Sequence, residues 1–280
     1  VLFHDCAHGS LFASPRANRV MGYVAGILAL TTYESWAHPH HIHHATYADL
    51  DHRGVGDIWT LTREEYVALP RLKRLGYRLY RSPFVLLGPG PAFLFLIGYR
   101  LPVKGEGKKE RRSIHITNLG VLALAGVLCA VLGWRTYFLI QLPIAMVAAT
   151  MGVWLFYVQH QFEGVYWTRH ADWDPMKAAL AGSSYYRLPK VLQWFTASIG
   201  LHHVHHVLPR IPNYNLQRAY EATPLLQTVR PLSLLGSLGA LRLNLWDEQH
   251  GRLVGFRSLK HAVQPSPSDN NCDHNNALPA

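Results

Sequence analysis

Charge is what this chain has least of. Asp, Glu, Lys and Arg make up 16% of its 280 residues, where roughly 25% is usual for a soluble globular domain. Acids are the scarcer sign, 17 against 27 Lys and Arg, for a formal net charge of +10. Helix-turn-helix, zinc-finger and other nucleic-acid-binding patterns are missing, which excludes the first partner that a basic chain suggests. Twelve of the 27 basic residues fall instead in residues 63–81 and 100–112, on either side of an apolar run. That is the layout of a positive cytoplasmic face on a membrane protein. Cysteine is sparse too: Cys6, Cys129 and Cys272 lie in a histidine cluster, an apolar run and a polar tail. No pairing follows, so a reducing compartment without disulfides is expected. The first residue is not Met and stands three positions before the first histidine, so further sequence is expected upstream.

Hydrophobic residues reach 49%, and a near-zero mean hydropathy hides their separation from the basic loops. Ile116–Trp134 and Tyr137–Val158 are each about the 20 residues a membrane crossing needs, with a turn predicted at Arg135-Thr136. Down and back, they return the chain to its starting side and deliver His160 there. Val20–Tyr33 spans only 14 residues. Crossing there would separate His8 from His40, so this segment is expected in the interface or as a dip. Phe84–Tyr99 is interrupted by Gly88-Pro89-Gly90-Pro91. It is flanked by Arg78, Arg81, Arg100, Lys104, Lys108 and Lys109, which predicts a broken hairpin with both ends in the cytoplasm.

Residues 45–60 read as loop. Thr62 and Glu65 predict a capping box, followed by a basic amphipathic stretch, Tyr66–Arg81, suited to the membrane surface. Ala171–Pro189 is polar and aromatic, and Val191–Leu201 is a short apolar lead-in to a histidine cluster. From Pro209 a cytoplasmic cap with some helix is expected. The predicted fold is all-α: multi-pass membrane helices and a cytoplasmic helical cap carrying a histidine-rich di-metal site. It occupies residues 1–263, and residues 264–280, rich in Pro and Asn, are expected to be a disordered tail.

Histidine is abundant, at 18 residues. Five of the nine residues Trp36–His44 are imidazoles, and His40, His43 and His44 stand at i, i+3 and i+4, one face of a helix. His202, His205 and His206 repeat those offsets, and His4 and His8 form a reduced i, i+4 version. His160, at the end of the second span, makes a ninth candidate. Four ligands satisfy one structural zinc and three a catalytic one, so eight or nine imidazoles imply at least two metals. All-nitrogen ligation suits iron, copper, zinc or nickel; a membrane setting with open positions favours iron that activates dioxygen. His38, His41 and His203 fall off the shared faces and are expected to contact solvent or the ligands' surroundings. His52, His115, His170, His250, His261 and His274 have no partners in sequence. Asp5, Asp51, Asp57 and Glu163 are candidates to orient imidazole N–H groups.

These residues resemble the three histidine boxes of the membrane-bound fatty acid desaturases. HDCAH at 4–8 is similar to the HxxxH box, and HHIHH at 40–44 and HHVHH at 202–206 to the two HxxHH boxes. Asp57-Ile58-Trp59-Thr60-Leu61-Thr62 and Pro209-Arg210-Ile211-Pro212-Asn213-Tyr214 are similar to bacterial acyl-lipid enzymes of the delta-12/omega-6 kind. Three intervening residues in the first box differ from the acyl-CoA type, and His202 differs from the Gln of front-end desaturases. Ala7 stands where Gly is common, and Ser198 where Asn is expected. The hydrophobic helices that open the family's sequences would precede this chain's first residue. The resemblance implies an oxidoreductase that uses O2 and two iron ions, held by His4, His8, His40, His43, His44, His160, His202, His205 and His206. It would place a cis double bond in a membrane lipid's acyl chain. No fused cytochrome b5 motif is visible, so a separate donor, ferredoxin or cytochrome b5, is implied, docking on the basic face. A related hydroxylase or carotenoid ketolase uses the same metal and differs in its product. A membrane metal transporter is the competing class, but transporters place ligands near the midplane of their spans.

Overall fold

Local start signals account for most of the short helices. The computed structural model describes residues 1–261; the tail, with Cys272, lies outside the described residues. Helix α1 covers Leu2–Ala7, α2 Pro15–Leu28 and α3 Tyr33–Thr46. Ser14 caps α2 through its hydroxyl, with Pro15 at the first helical position, where its missing N–H costs nothing. Strand β1, Leu61–Thr62, leads into α4, Arg63–Ala68, through the expected capping box of Thr62 and Glu65. Next come α5, Arg71–Tyr80, α6, Pro83–Leu87, and α7, Pro89–Leu96. The expected basic amphipathic stretch is therefore two helices, because Pro70 supplies no N–H and breaks the run. The expected interruption of 84–99 falls at Gly88, between α6 and α7.

Among the described residues, helices α8, Lys108–Leu132, and α9, Trp134–His160, are the two long and apolar enough to cross a membrane. Few of their residues are buried; Leu119, Leu122, Val131 and Leu139 all stand open on their outer faces. At 1.5 Å per residue, 25 residues reach about 37 Å, more than the roughly 30 Å hydrocarbon core. The turn between them is at Gly133 and not at Arg135-Thr136, which lie inside α9. Gly133 has φ +80°, a left-handed conformation that glycine adopts without steric cost, so one residue suffices.

The remaining helices are α10, Pro175–Ala181, α11, Lys190–Phe195, α12, His202–Val207, and α13, Asn213–Ala222. The described chain is mostly helical but not all-α. Two small sheets are present: β1 pairs in parallel with β4, Leu245–Asp247, which pairs antiparallel with β5, Arg252–Val254, and β2, Tyr185–Arg187, pairs in parallel with β3, Pro231–Ser233. These strands are two or three residues long, and all three residues of β4 are buried. A strand so short, without polar alternation, carries no readable period.

Arg81 is the polar pin of this region. The basic flank reading put it on the surface, whereas it is 2% exposed. It donates to Gln161 Oε1 and the Leu243 carbonyl, both at 2.8 Å, and to the Trp59 carbonyl at 3.3 Å, with its guanidinium over the Tyr157 ring. It thereby ties the end of α9 to the 59–60 loop and to the approach to β4. Replacing it strands several buried acceptors, each worth about 1–3 kcal/mol. Arg81→Met is expected to cost about 3 kcal/mol, read as a fall in melting temperature of the detergent-solubilised protein against wild type.

Candidate metal centre

Three short helical segments and one helix end present the nine candidate histidines. α1 offers His4, and His8 at its C-cap; α3 offers His40, His43 and His44, α12 offers His202, His205 and His206, and α9 ends on His160. The structure brings all nine together in two adjoining groups. The first contains His4, His8, His40, His44 and His205; the second contains His43, His160 and His206. His202 joins the second, with Nε2 3.0 Å from His160 Nε2 and 3.1 Å from His206 Nε2. The boxes at 40–44 and 202–206 are thus each split. α3 sends its i, i+4 pair to the first group and His43 to the second, while α12 sends His205 to the first and its i, i+4 pair to the second.

The nitrogen atoms converge more closely than unpartnered rings would. His8 and His40 meet Nε2 to Nε2 at 3.0 Å, His44 and His205 at 3.0 Å, and His43 and His160 at 3.1 Å. An imidazole Nε2 has a single in-plane position, either an N–H or a lone pair. His160 Nε2 faces both His43 and His202, and His202 Nε2 faces both His160 and His206. Hydrogen bonds cannot satisfy all of these contacts; several lone pairs pointing at one cation can. Two nitrogens at about 2.1 Å from a common ion and at right angles lie about 3.0 Å apart, against about 3.4 Å for tetrahedral ligands. His4 Nε2 is buried with no hydrogen-bond partner, its ring 4.3–4.8 Å from those of His8, His40 and His205. The donor set fits metal binding.

Outer partners set the tautomers. His43 donates Nδ1–H to Asp57 Oδ1, and His4 donates Nδ1–H to Asp5 Oδ1 at 3.1 Å, each leaving Nε2 with its lone pair. Asp5 Oδ2 accepts from the backbone and side-chain amides of Asn213, at 2.6 and 2.8 Å. The 209–214 run therefore acts through Asn213, which braces the acid that orients His4. Nothing local in the sequence marks Asn213 for this role, because its partner lies 208 residues away. Of the other acids, Asp51 binds Arg169 and the His170 amide, and Glu163 is exposed. His41 and His203 use Nε2 on the carbonyls of Ala7 and Leu226, and His38 is exposed. His52 and His170 meet at Asp49, His250 meets Asp247, and His115 is exposed. The side chain of His261 and all of His274 lie outside the described residues.

Burial, then repulsion between neighbouring rings, depresses the imidazole pKa values. That of His8 falls to about 2, and those of His40, His44, His202, His205 and His206 lie well below the usual value. The rings are neutral at physiological pH and offer lone pairs, which is what a metal requires. Trp36 stacks on His40 at 4.3 Å. A cavity of about 210 Å³ opens beside His44 and His206, one from each group, with Tyr47, Trp173, Met176 and Val207 on its walls.

A mostly helical chain with two helices long and apolar enough to cross a membrane and two convergent histidine groups has the makings of a protein able to hold metal. Comparison with known proteins narrows this to one family. The fatty acid desaturase family matches residues 1–230. A fatty acid desaturase of Bacillus subtilis is 46% identical over 269 residues, 96% of this chain and 76% of its own length. More distant relatives are the sn-1 oleoyl-lipid 12-desaturase of Synechocystis, 26% identical over 93% of this chain and 75% of its own length, and an sn-1 acyl-lipid omega-3 desaturase (ferredoxin) of Nostoc, 26% identical over 79% and 62%. The chain belongs to the fatty acid desaturase family and is an oxidoreductase of lipid metabolism.

Two predictions follow from the bracing of His43. Losing a partner of this kind typically weakens metal affinity about 10–100-fold, so Asp57→Ala is expected to release metal at correspondingly lower chelator concentration in a dialysis series. Gly56 has φ +72°, and a Cβ there would lie 2.5 Å from the Pro39 carbonyl oxygen. Left-handed backbone costs an L-residue about 1–2 kcal/mol before any clash. Gly56→Ala should therefore lower the melting temperature and, by displacing Asp57 from His43, metal retention as well.

Proposed function

We propose that the nine histidines hold two iron ions on the cytoplasmic face of a multi-pass membrane protein, and that the enzyme places a cis double bond in a membrane lipid's acyl chain. Iron, when bound, supplies O2 activation and hydrogen removal from an unactivated chain. The balance requires a carrier: the acyl chain yields two electrons and two protons, the donor yields two electrons, two protons come from solvent, and O2 leaves as two waters. One Nostoc relative is named for ferredoxin; a ferredoxin or cytochrome b5 docked on the basic face would serve here.

The chain's own residues supply the positioning. Asp5 and Asp57 keep the N–H of His4 and His43 on Nδ1, so that Nε2 faces inward. Burial works against the charge on Asp5, but hydrogen bonds from His4 and then Asn213 outweigh it and lower its pKa, and Asn213 holds the carboxylate in place. Burial keeps His40, His44, His202, His205 and His206 neutral, so metal need not compete with protons there at pH 7. The cavity beside His44 and His206 reaches both groups and is a route for O2. Helices α8 and α9 anchor the site to the bilayer and deliver His160 at the membrane edge.

The observation that carries this reading is the split of the nine Nε2 atoms into groups of five and four, each drawn from several segments. A metal transporter would instead hold its ligands near the middle of its spans, and His160 is the last residue of α9. About two irons per chain are expected on purified protein, since one ion takes about four such ligands. A His43→Ala, His205→Ala double variant, which removes one ligand from each group, should lose both the iron and the new double bond in lipids of an expressing host. A single zinc per chain, or iron unaffected by the variant, would sink the di-iron assignment. A hydroxylated product in place of an alkene would move the enzyme to the related hydroxylases.

A further inference from the structure

Away from the nine histidines, one more group of three metal-type donors comes together among the described residues. Asp49 and His52 lie in the loop after α3, and His170 opens a 3₁₀ turn beyond α9. Two backbone hydrogen bonds join these distant stretches: the Leu50 N–H donates to the Thr168 carbonyl at 2.8 Å, and the Thr168 N–H to the Ala48 carbonyl at 3.0 Å. The join brings two imidazoles to one carboxylate oxygen. His52 Nδ1 and His170 Nδ1 both lie 2.7 Å from Asp49 Oδ2, with the rings 4.6 Å apart and nearly perpendicular. Asp49 Oδ1 is fixed by the Asp51 N–H at 3.0 Å. The carboxylate is 2% exposed while both imidazole side chains are more than half exposed. A rigid floor thus faces an open mouth.

The surrounding charge favours a cation. Asp51 and Glu248 share Arg169, each at 2.6 Å. With Asp49 that makes three carboxylates against one guanidinium. The fixed charges thus leave a negative excess that a divalent ion would cancel. Two nitrogens and one oxygen within 4.8 Å of one another, with room for water, form a three-ligand set typical of zinc and similar borderline ions. Calcium and magnesium prefer all-oxygen shells.

We propose that Asp49, His52 and His170 form a surface site for a zinc-class divalent ion, separate from the nine-histidine centre. The ion fastens the 49–52 loop, which runs on to Asp57 and its bond to His43, onto the segment that follows α9.

The test uses the full chain in detergent with iron already loaded, so that the histidine centre is filled. Zinc is added by equilibrium dialysis and bound metal is measured in wild type, His52→Gln, His170→Ala and Asp49→Asn. One zinc per chain beyond the iron is expected, with affinity lowered about tenfold or more in each variant. Iron content and desaturation should be unchanged in His52→Gln, which replaces an exposed side chain that contacts none of the nine histidines. Zinc should also raise the melting temperature of wild type and not of the variants. Absence of extra zinc in wild type, or zinc binding that survives both His170→Ala and Asp49→Asn, would overturn the proposal, whatever the iron content of the main centre proves to be.

Discussion

Nine nitrogen lone pairs need something to point at. Eight of the candidate imidazoles have Nε2 at 3.0–3.1 Å from another imidazole Nε2, and that of the ninth, His4, is buried without a partner. Leaving such atoms buried and unmatched costs free energy at every one of them. Much of the remaining architecture serves to hold that convergence in place. α1 and α12 are each six residues long, enough to carry one histidine box. Partners outside the groups, Asp5, Asp57, Asn213 and Trp36, turn individual rings inward.

The second constraint is where the site sits. Helices α8 and α9 expose apolar side chains along most of their length, and lipid is the surrounding that makes this favourable. Because α9 closes on His160, the anchor and the site share a residue. Arg81 then fastens the loop and strand layer to the same helix end through Gln161 and Tyr157. The small sheets fit this pattern. β1 and β4 join segments over a hundred residues apart, β2 and β3 segments 46 apart, and neither sheet contributes a candidate ligand.

Motifs with local physics were legible in the sequence. The i, i+3, i+4 boxes identified their histidines, the Thr62 capping box forms, and the two long apolar runs are helices. Each depends on residues within a few turns of one another, so spacing alone carries the signal. Arg135-Thr136 is the more polar pair, yet the turn falls at Gly133, because the deciding property is glycine's access to positive φ. Pro70 sits inside a basic pattern that otherwise looks continuous and divides it.

What the sequence determined by itself is the kind of chemistry: clustered imidazoles beside apolar spans, the pattern of a fatty acid desaturase. What only the tertiary structure decided is the partition. Two boxes that look like three equivalent ligands each are shared between two groups in opposite proportions. The reason is geometric: an i, i+4 pair and its i+3 neighbour diverge around the helix, and only the docking of α1, α3, α9 and α12 determines which group each one faces. The same holds for Asn213 with Asp5, Arg81 with Leu243, and His52 with His170. These are contacts between residues far apart in the chain, and no local pattern records them.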